Sequence, residues 1–202
     1  MKIKEIFRPK YSALFLILGL GNPGKKYAKN RHNLGFRIID RLAKDTDFRR
    51  TSKALVAKIK IAGKEVLLAK PLTYVNLSGE ATLSLLTRYR LKKESLLVVC
   101  DDLSLPFGTT RLKNQGSSGG HNGLQSIIEA IGSGFARLRI GIGNPDTSAD
   151  WSDYVLSNFS PEEEANLPEV LDKAVEEIVR YLKIPPTSPP PQGGRIKGEG
   201  NH

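Results

Sequence analysis

Two short runs of the chain are apolar without interruption, and each gives way at once to turn-forming or polar residues. Leu14-Phe15-Leu16-Ile17-Leu18 leads into Gly19 to Gly24, and Leu96-Leu97-Val98-Val99-Cys100 ends in Asp101-Asp102. Runs of this length without alternation predict strands buried on both faces, in the middle of a parallel or mixed sheet covered by helices. Between them the period changes. Over residues 31–44, Phe36, Ile39, Leu42 and Ala43 recur at helical spacing, which predicts a helix with one buried face and His32 in its first turn. Residues 54–62 and 65–70 are rich in β-formers around Gly63-Lys64, predicting a two-residue hairpin, and residues 78–91 predict a second helix. A glycine-rich loop (Gly116 to Gly120), a helix over 121–131 and a strand over 138–142 follow. Ser160-Pro161-Glu162-Glu163 places an N-cap serine, a proline at the first helical position and a glutamate at the third, so it opens a final helix that runs to Lys183. The expected fold class is α/β, a twisted mixed, largely parallel sheet with helices on both faces.

The organisation along 202 residues is that of one domain, over 13–184, with a weakly patterned N-terminal extension at 1–12. From Pro185 to His202 nine of eighteen residues are Pro or Gly, with almost nothing to bury, which predicts a disordered tail over 185–202. Composition adds a sign. The net charge of +10 fits a polyanionic partner such as nucleic acid. It is unevenly spread: residues 1–60 hold 16 Lys/Arg against 4 Asp/Glu, a net of +12, whereas residues 161–183 hold 3 against 7, a net of −4. A single cysteine, Cys100, excludes an internal disulfide framework and implies a reducing compartment, hence the cytoplasm. The run from Ala13 to Leu20 is far shorter than the roughly 20 residues of a membrane span, so no membrane partner is expected.

Two familiar motifs match in form only. Gly19-x-Gly21-x-x-Gly24 follows a buried strand, as a dinucleotide fingerprint does, but Pro23 stiffens the turn, the helix starts late and the next strand ends without the acid that holds a ribose. Glycines of a tight strand-to-loop turn account for it. Gly116-Ser117-Ser118-Gly119-Gly120 matches a G-x-S-x-G nucleophile elbow, yet the preceding Lys113-Asn114-Gln115 is polar and turn-like, and beyond the adjacent His121 only His202 follows. Three scattered histidines and one cysteine give no ligand pair at metal-binding spacing, so neither a metal nor a cofactor is expected.

A five-part constellation carries the chemistry. It comprises Gly19-Leu20-Gly21-Asn22-Pro23-Gly24; Tyr27 through Arg31-His32-Asn33; Pro71-Leu72-Thr73-Tyr74-Val75-Asn76-Leu77-Ser78-Gly79; Asp101 through Gly108; and Gly116 through Gly120-His121-Asn122-Gly123. Each part brings small or amide-bearing groups to an element boundary: Asn22, Asn76 and Asn122, two histidines and one strand-end carboxylate. A neutral imidazole oriented by a carboxylate can act as general base toward water, and asparagine amides bind carbonyls without adding charge.

In order and spacing these five segments resemble bacterial peptidyl-tRNA hydrolase, from Leu14 to Lys183. The resemblance implies a metal-free, monomeric esterase that cuts the bond between a peptide and the 3′-terminal ribose of tRNA, with the acceptor stem and CCA end as its partner. Carried to matching positions, it makes His32 the base, Asp101 its orienting acid and Asn22 the contact to the peptide beside the ester. Asn76 and Asn122 would bind substrate and stabilise the oxyanion, with His121 beside them, and Tyr27 and Tyr74 would support the terminal adenosine. Arg111, Lys113 and Arg139 would contact phosphates. Two effects oppose each other at His32: a helix N-terminus disfavours imidazolium, whereas the carboxylate favours it. The sequence departs from the family's usual pattern at Asn30, Val75 and Ser104, where threonine, methionine and aspartate are usual. A non-catalytic RNA-binding relative is the alternative, and retention of His32, Asp101 and the three asparagines speaks against it.

Overall fold

A computed structural model of the chain describes residues 14–145 and 151–183. The extension at 1–12 and the tail at 185–202 lie outside the described residues. Both continuous apolar runs are wholly buried strands: β1 spans Phe15–Gly19 and β5 spans Leu96–Asp102. The remaining strands are β2 (Arg49–Arg50), β3 (Ala54–Ile61), β4 (Lys64–Pro71), β6 (Thr110–Lys113) and β7 (Ala136–Gly141). They form one seven-stranded sheet in the order β2-β3-β4-β1-β5-β7-β6. The ladders β4–β1, β1–β5 and β5–β7 are parallel, whereas β2–β3, β3–β4 and β6–β7 are antiparallel. Parallel pairing is thus confined to the four central strands, which need helices on both sides.

Those helices are α1 (Leu34–Ala43), α2 (Ser78–Tyr89), α3 (Asn122–Ile131), α4 (Trp151–Leu156) and α5 (Pro161–Lys183). Odd-numbered positions of β1 and β5 (Phe15, Ile17, Leu97, Val99) pack with Leu34, Ile38 and Ile39 of α1 and with Leu167, Ala174 and Ile178 of α5. Even-numbered positions (Leu16, Leu18, Leu96, Val98) face Leu85 and Leu86 of α2 and Leu124 and Ile127 of α3. The period of two thus splits each central strand between two cores. No helix among the described residues is long and apolar enough to cross a membrane.

Three expectations shift by a residue or a turn. The hairpin turn is Ala62-Gly63, with Ile61 paired to Lys64, and both turn residues have positive φ (49° and 77°), which the right-handed twist of a two-residue hairpin demands. The α-helix starts at Leu34, so His32 sits in a separate 3-10 turn, Arg31–Asn33. His121 is the N-cap of α3, one residue ahead of it. The short edge strands β2 and β6 and the helix α4 bury too little to show in the sequence pattern. Ser160 and Glu163 form the expected reciprocal box: the Glu163 N–H donates to the serine hydroxyl oxygen at 3.2 Å and the Ser160 N–H to the glutamate at 2.7 Å.

Two glycines join α1 to β1. A Cβ on Gly35 would lie 2.5 Å from the Leu20 nitrogen and oxygen and from the Val99 carbonyl, all backbone, and a Cβ on Gly19 would strike the Gly35 backbone and Ile39. Neither glycine has positive φ. They serve close approach rather than a turn. Gly35→Ala should therefore cost about 3 kcal/mol, at the upper end for overpacking. Gly63→Ala meets open space but keeps φ at +77°, and should cost only about 1–2 kcal/mol. Urea unfolding of the two variants checks the contrast.

Candidate active site

β1 and β5 are parallel neighbours, so the loop after β1 and the carboxylates ending β5 leave the sheet side by side. β1 is also paired to β4 on its other side, and α/β sheets open a crevice where strand order reverses in this way. Asp101 stands there, 2% exposed. The His32 Nδ1–H donates to its two oxygens at 2.9 and 3.1 Å. His121 approaches from α3. Its Nδ1 accepts the Gly123 and Leu124 N–H groups at 3.0 and 3.4 Å, so its proton resides on Nε2 and is donated to Asp101 Oδ1 at 3.2 Å. The first turn of α3 thereby sets the tautomer of His121. His32 keeps the Nε2 lone pair, in a cleft of about 300 Å³ whose walls include Asn122, Arg139 and Trp151.

The electrostatics follow from burial opposed by partners. Burial favours a neutral Asp101, but the two imidazoles outweigh it and hold the carboxyl far below its usual range. Burial disfavours a charged His32, yet the Asp101 charge and its hydrogen bond prevail, and the imidazole pKa is raised. The carboxylate therefore wins over the opposing effects at this site. His32, Asp101 and His121 also bring three potential ligand atoms within 4.8 Å of one another. Ligation by His121 Nε2 would move its proton to Nδ1, where two backbone N–H groups of α3 already point. The trio fits a hydrogen-bonded relay and does not fit a metal ligand set.

The other expected residues separate into groups. Asn22 is buried, and its Oδ1 accepts the Val75 N–H at 2.9 Å, leaving the Nδ2 donors without a partner among the described residues. Tyr27 and Tyr74 meet edge to face with centroids 6.4 Å apart, and Tyr74 is 54% exposed, so it is no core residue. Asn76 and Asn122 are exposed, one in the 3-10 turn Val75–Leu77 and one opening α3. Arg111 and Lys113 project from β6 into solvent without an ion-pair partner among the described residues.

Two of the expected substrate contacts are tied into the protein itself. Register pairs Arg139 with Cys100, its guanidinium donates to Asp102 Oδ2 at 3.0 Å, and its second arm donates to the Ser117 and Ser118 carbonyls. His121 has both ring nitrogens engaged within the protein, Nε2 with Asp101 and Nδ1 with the start of α3. The same engagement leaves neither nitrogen for Ser118, which removes the serine-elbow chemistry. At the departures, the Ser104 N–H and hydroxyl both donate to Asp102 Oδ1 at 2.8 and 2.7 Å, and Val75 holds Asn22 through its backbone.

Sequence reasoning gave no role to Arg31 or Arg137. Arg31, 6% exposed, lies over the Tyr154 and Phe159 rings at 4.3 and 4.9 Å and pairs with Glu163 at 2.7 Å, tying the His32 turn to α4 and α5. Arg137, 1% exposed, donates to the carbonyls of Gly116, Ser117, Ser133 and Phe135. The detectable signal was a cation alternating with Leu138 and Ile140 inside a buried strand.

Comparison with known proteins converges on one family. The family model described as Peptidyl-tRNA hydrolase matches residues 16–186. The peptidyl-tRNA hydrolase of Aquifex aeolicus (strain VF5) is 51% identical over 175 residues, covering 85% of this chain and 91% of that protein. That of Bacillus subtilis (strain 168) is 46% identical over 176 residues, covering 85% and 94%. Among solved structures, peptidyl-tRNA hydrolase from Acinetobacter baumannii superimposes with a TM-score of 0.74 at 36% identity, covering 85% of this chain and 88% of that one.

Because the folded pKa of His32 lies above its ordinary value of about 6.5, the His32–Asp101 pair stabilises the fold fully below that value. The contribution disappears as pH rises through the folded pKa. Asp101→Asn removes the charge and leaves the burial. In an NMR titration the His32 ring should titrate above about 6.5 in the wild type and below it in Asp101→Asn.

Proposed function

We propose that this chain, which belongs to the peptidyl-tRNA hydrolase family and hydrolyses peptidyl-tRNA, does so with His32 as the general base that activates water. The observation that carries this reading is the 2.9 Å bond from His32 Nδ1 to Asp101, which leaves Nε2 as a lone pair facing the cleft. Water gives a proton to Nε2 as its oxygen forms a bond to the ester carbonyl carbon. The carbonyl oxygen becomes an oxyanion, and Asp101 stabilises the imidazolium that has formed. Collapse breaks the bond from carbon to the ribose 3′ oxygen, which takes the proton back from His32. The products are a free peptide and tRNA, and no metal takes part.

Asn22 supplies the donor for the acyl group. Its side-chain oxygen is engaged by Val75, so the group it presents to substrate is the Nδ2 amide, which can bind a carbonyl and cannot accept from an ammonium. A blocked amine offers the neutral amide that such a site receives, whereas a free charged amine does not. Asn76 and Asn122 add further donors, and Tyr27 and Tyr74 offer rings to the terminal adenosine. Arg111 and Lys113 contact phosphates and position the tRNA without reading its bases. The enzyme acts as a monomer in the cytoplasm, where the buried thiol of Cys100 stays reduced.

Hydrolysis of an N-acetylated aminoacyl-tRNA tests the assignment. His32→Ala should lower kcat by about 10²–10⁴-fold, the usual worth of a general base, while Ser118→Ala leaves it unchanged. A rate retained by His32→Ala overturns the proposal. Replacing Arg111 or Lys113 with alanine should raise KM at constant kcat and reduce the slope of log affinity against log salt by about 1 for each phosphate left without its cation.

A further inference from the structure

Asn33 occupies the N-cap position of α1 without capping it, for its side chain bonds to none of the N–H groups in the first turn. Asparagine there ordinarily accepts from the second or third helical N–H. Here the amide turns away, buried to 3% exposure, and closes a two-bond ring on the backbone of Asn22. The Asn22 N–H donates to Oδ1 at 2.9 Å, and Nδ2 donates to the Asn22 carbonyl at 2.9 Å. Each bond has one allowed direction, so the ring fixes which end of the Asn33 amide is which. Asn22 is therefore held on two sides: its peptide groups by Asn33, and its side-chain oxygen by the Val75 N–H.

The neighbouring glycine shows how close this fit is. A Cβ on Gly21 would come to 3.0 Å from the Phe36 ring and 3.1 Å from Cγ of Asn33. Glycine at this position lets the amide lie flat against the chain leaving β1. Asn33 also follows His32 directly in the 3-10 turn, so one backbone segment carries both the base and the clamp.

We propose that Asn33 is a positioning residue that holds the Asn22 amide as a hydrogen-bond donor in fixed register with His32. The inference rests on the reading of Asn22 as the donor to substrate. Asn33 touches neither the reacting atoms nor the tRNA; it acts through Asn22.

The test is a double-mutant cycle on hydrolysis of N-acetylated aminoacyl-tRNA, with thermal melts to confirm folding. Asn22→Ala should lower kcat about 10²-fold, and Asn33→Ala about tenfold with KM within about twofold, because the donor is used in the transition state. In the Asn22→Ala background, Asn33→Ala should cost less than about twofold, since nothing is left to position. The acid limb of the pH profile, set by His32 and Asp101, should not move. Asn33→Asp keeps the shape and the acceptor but loses the donor to the Asn22 carbonyl, and should behave as Asn33→Ala does even if the latter folds poorly. A full tenfold loss in both backgrounds, or a displaced acid limb, overturns the role of Asn33 while leaving Asn22 in place. An Asn22→Ala enzyme as fast as wild type overturns the donor reading and the inference with it.

Discussion

The arrangement of the site depends on one buried carboxylate. Asp101 stands at the end of a central strand, where an ionised group in low dielectric would be intolerable alone, and two imidazoles meet it there. Each imidazole comes from a different element, the 3-10 turn before α1 and the N-cap of α3. The need to satisfy Asp101 thus draws a strand end, a turn and a helix start to one point. The two histidines are then differentiated by what lies behind them. His121 has backbone donors at its back, whereas His32 has no hydrogen-bond partner at Nε2 among the described residues and lines the cleft.

Much of this geometry was legible because it follows from order along the chain. An unbroken apolar run ending in Asp101-Asp102 is the arrangement expected of a central strand delivering acids at its tip, and the Ser160 box declares the start of α5. What escaped were features created by pairing between distant segments. Register places Arg139 on the strand beside Asp102 and gives it an internal counter-ion, and no local pattern contains that fact. Strand β6 alternates half-buried and exposed residues around a single apolar side chain, Leu112, too weak a signal to separate from a loop. The tautomer of His121 depends on the direction of two N–H groups and is invisible in composition.

Charge was legible in kind and not in place. The excess of cations over residues 1–60 suggested a field for an anionic partner, but part of it is answered within the fold. Arg31, Arg37 and Arg41 pair with Glu163, Glu164 and Asp172, each through two nitrogens and two oxygens, so the acidic stretch of α5 balances the cations of α1 and of the turn before it. The cations open to a polyanion include Arg111 and Lys113, on an edge strand beside the glycine-rich loop that helps wall the cleft. Net charge therefore indicated the kind of partner and not which cations remain open to it.

The glycines after β1 tie the fold to the site. Their spacing imitates a dinucleotide fingerprint because both arrangements need a helix to pack against the end of a buried strand, and only glycine permits that approach. In a nucleotide site the freed space serves a pyrophosphate. Here Gly19 meets the backbone of Gly35, and Gly21 meets Asn33 and Phe36, so protein fills the space. The contact fixes the height of α1 above β1, and with it the turn that carries His32 toward Asp101. A motif that fails as a nucleotide-binding signature is thus the support beneath the turn that carries His32, and its glycines Gly19 and Gly21 act through packing alone.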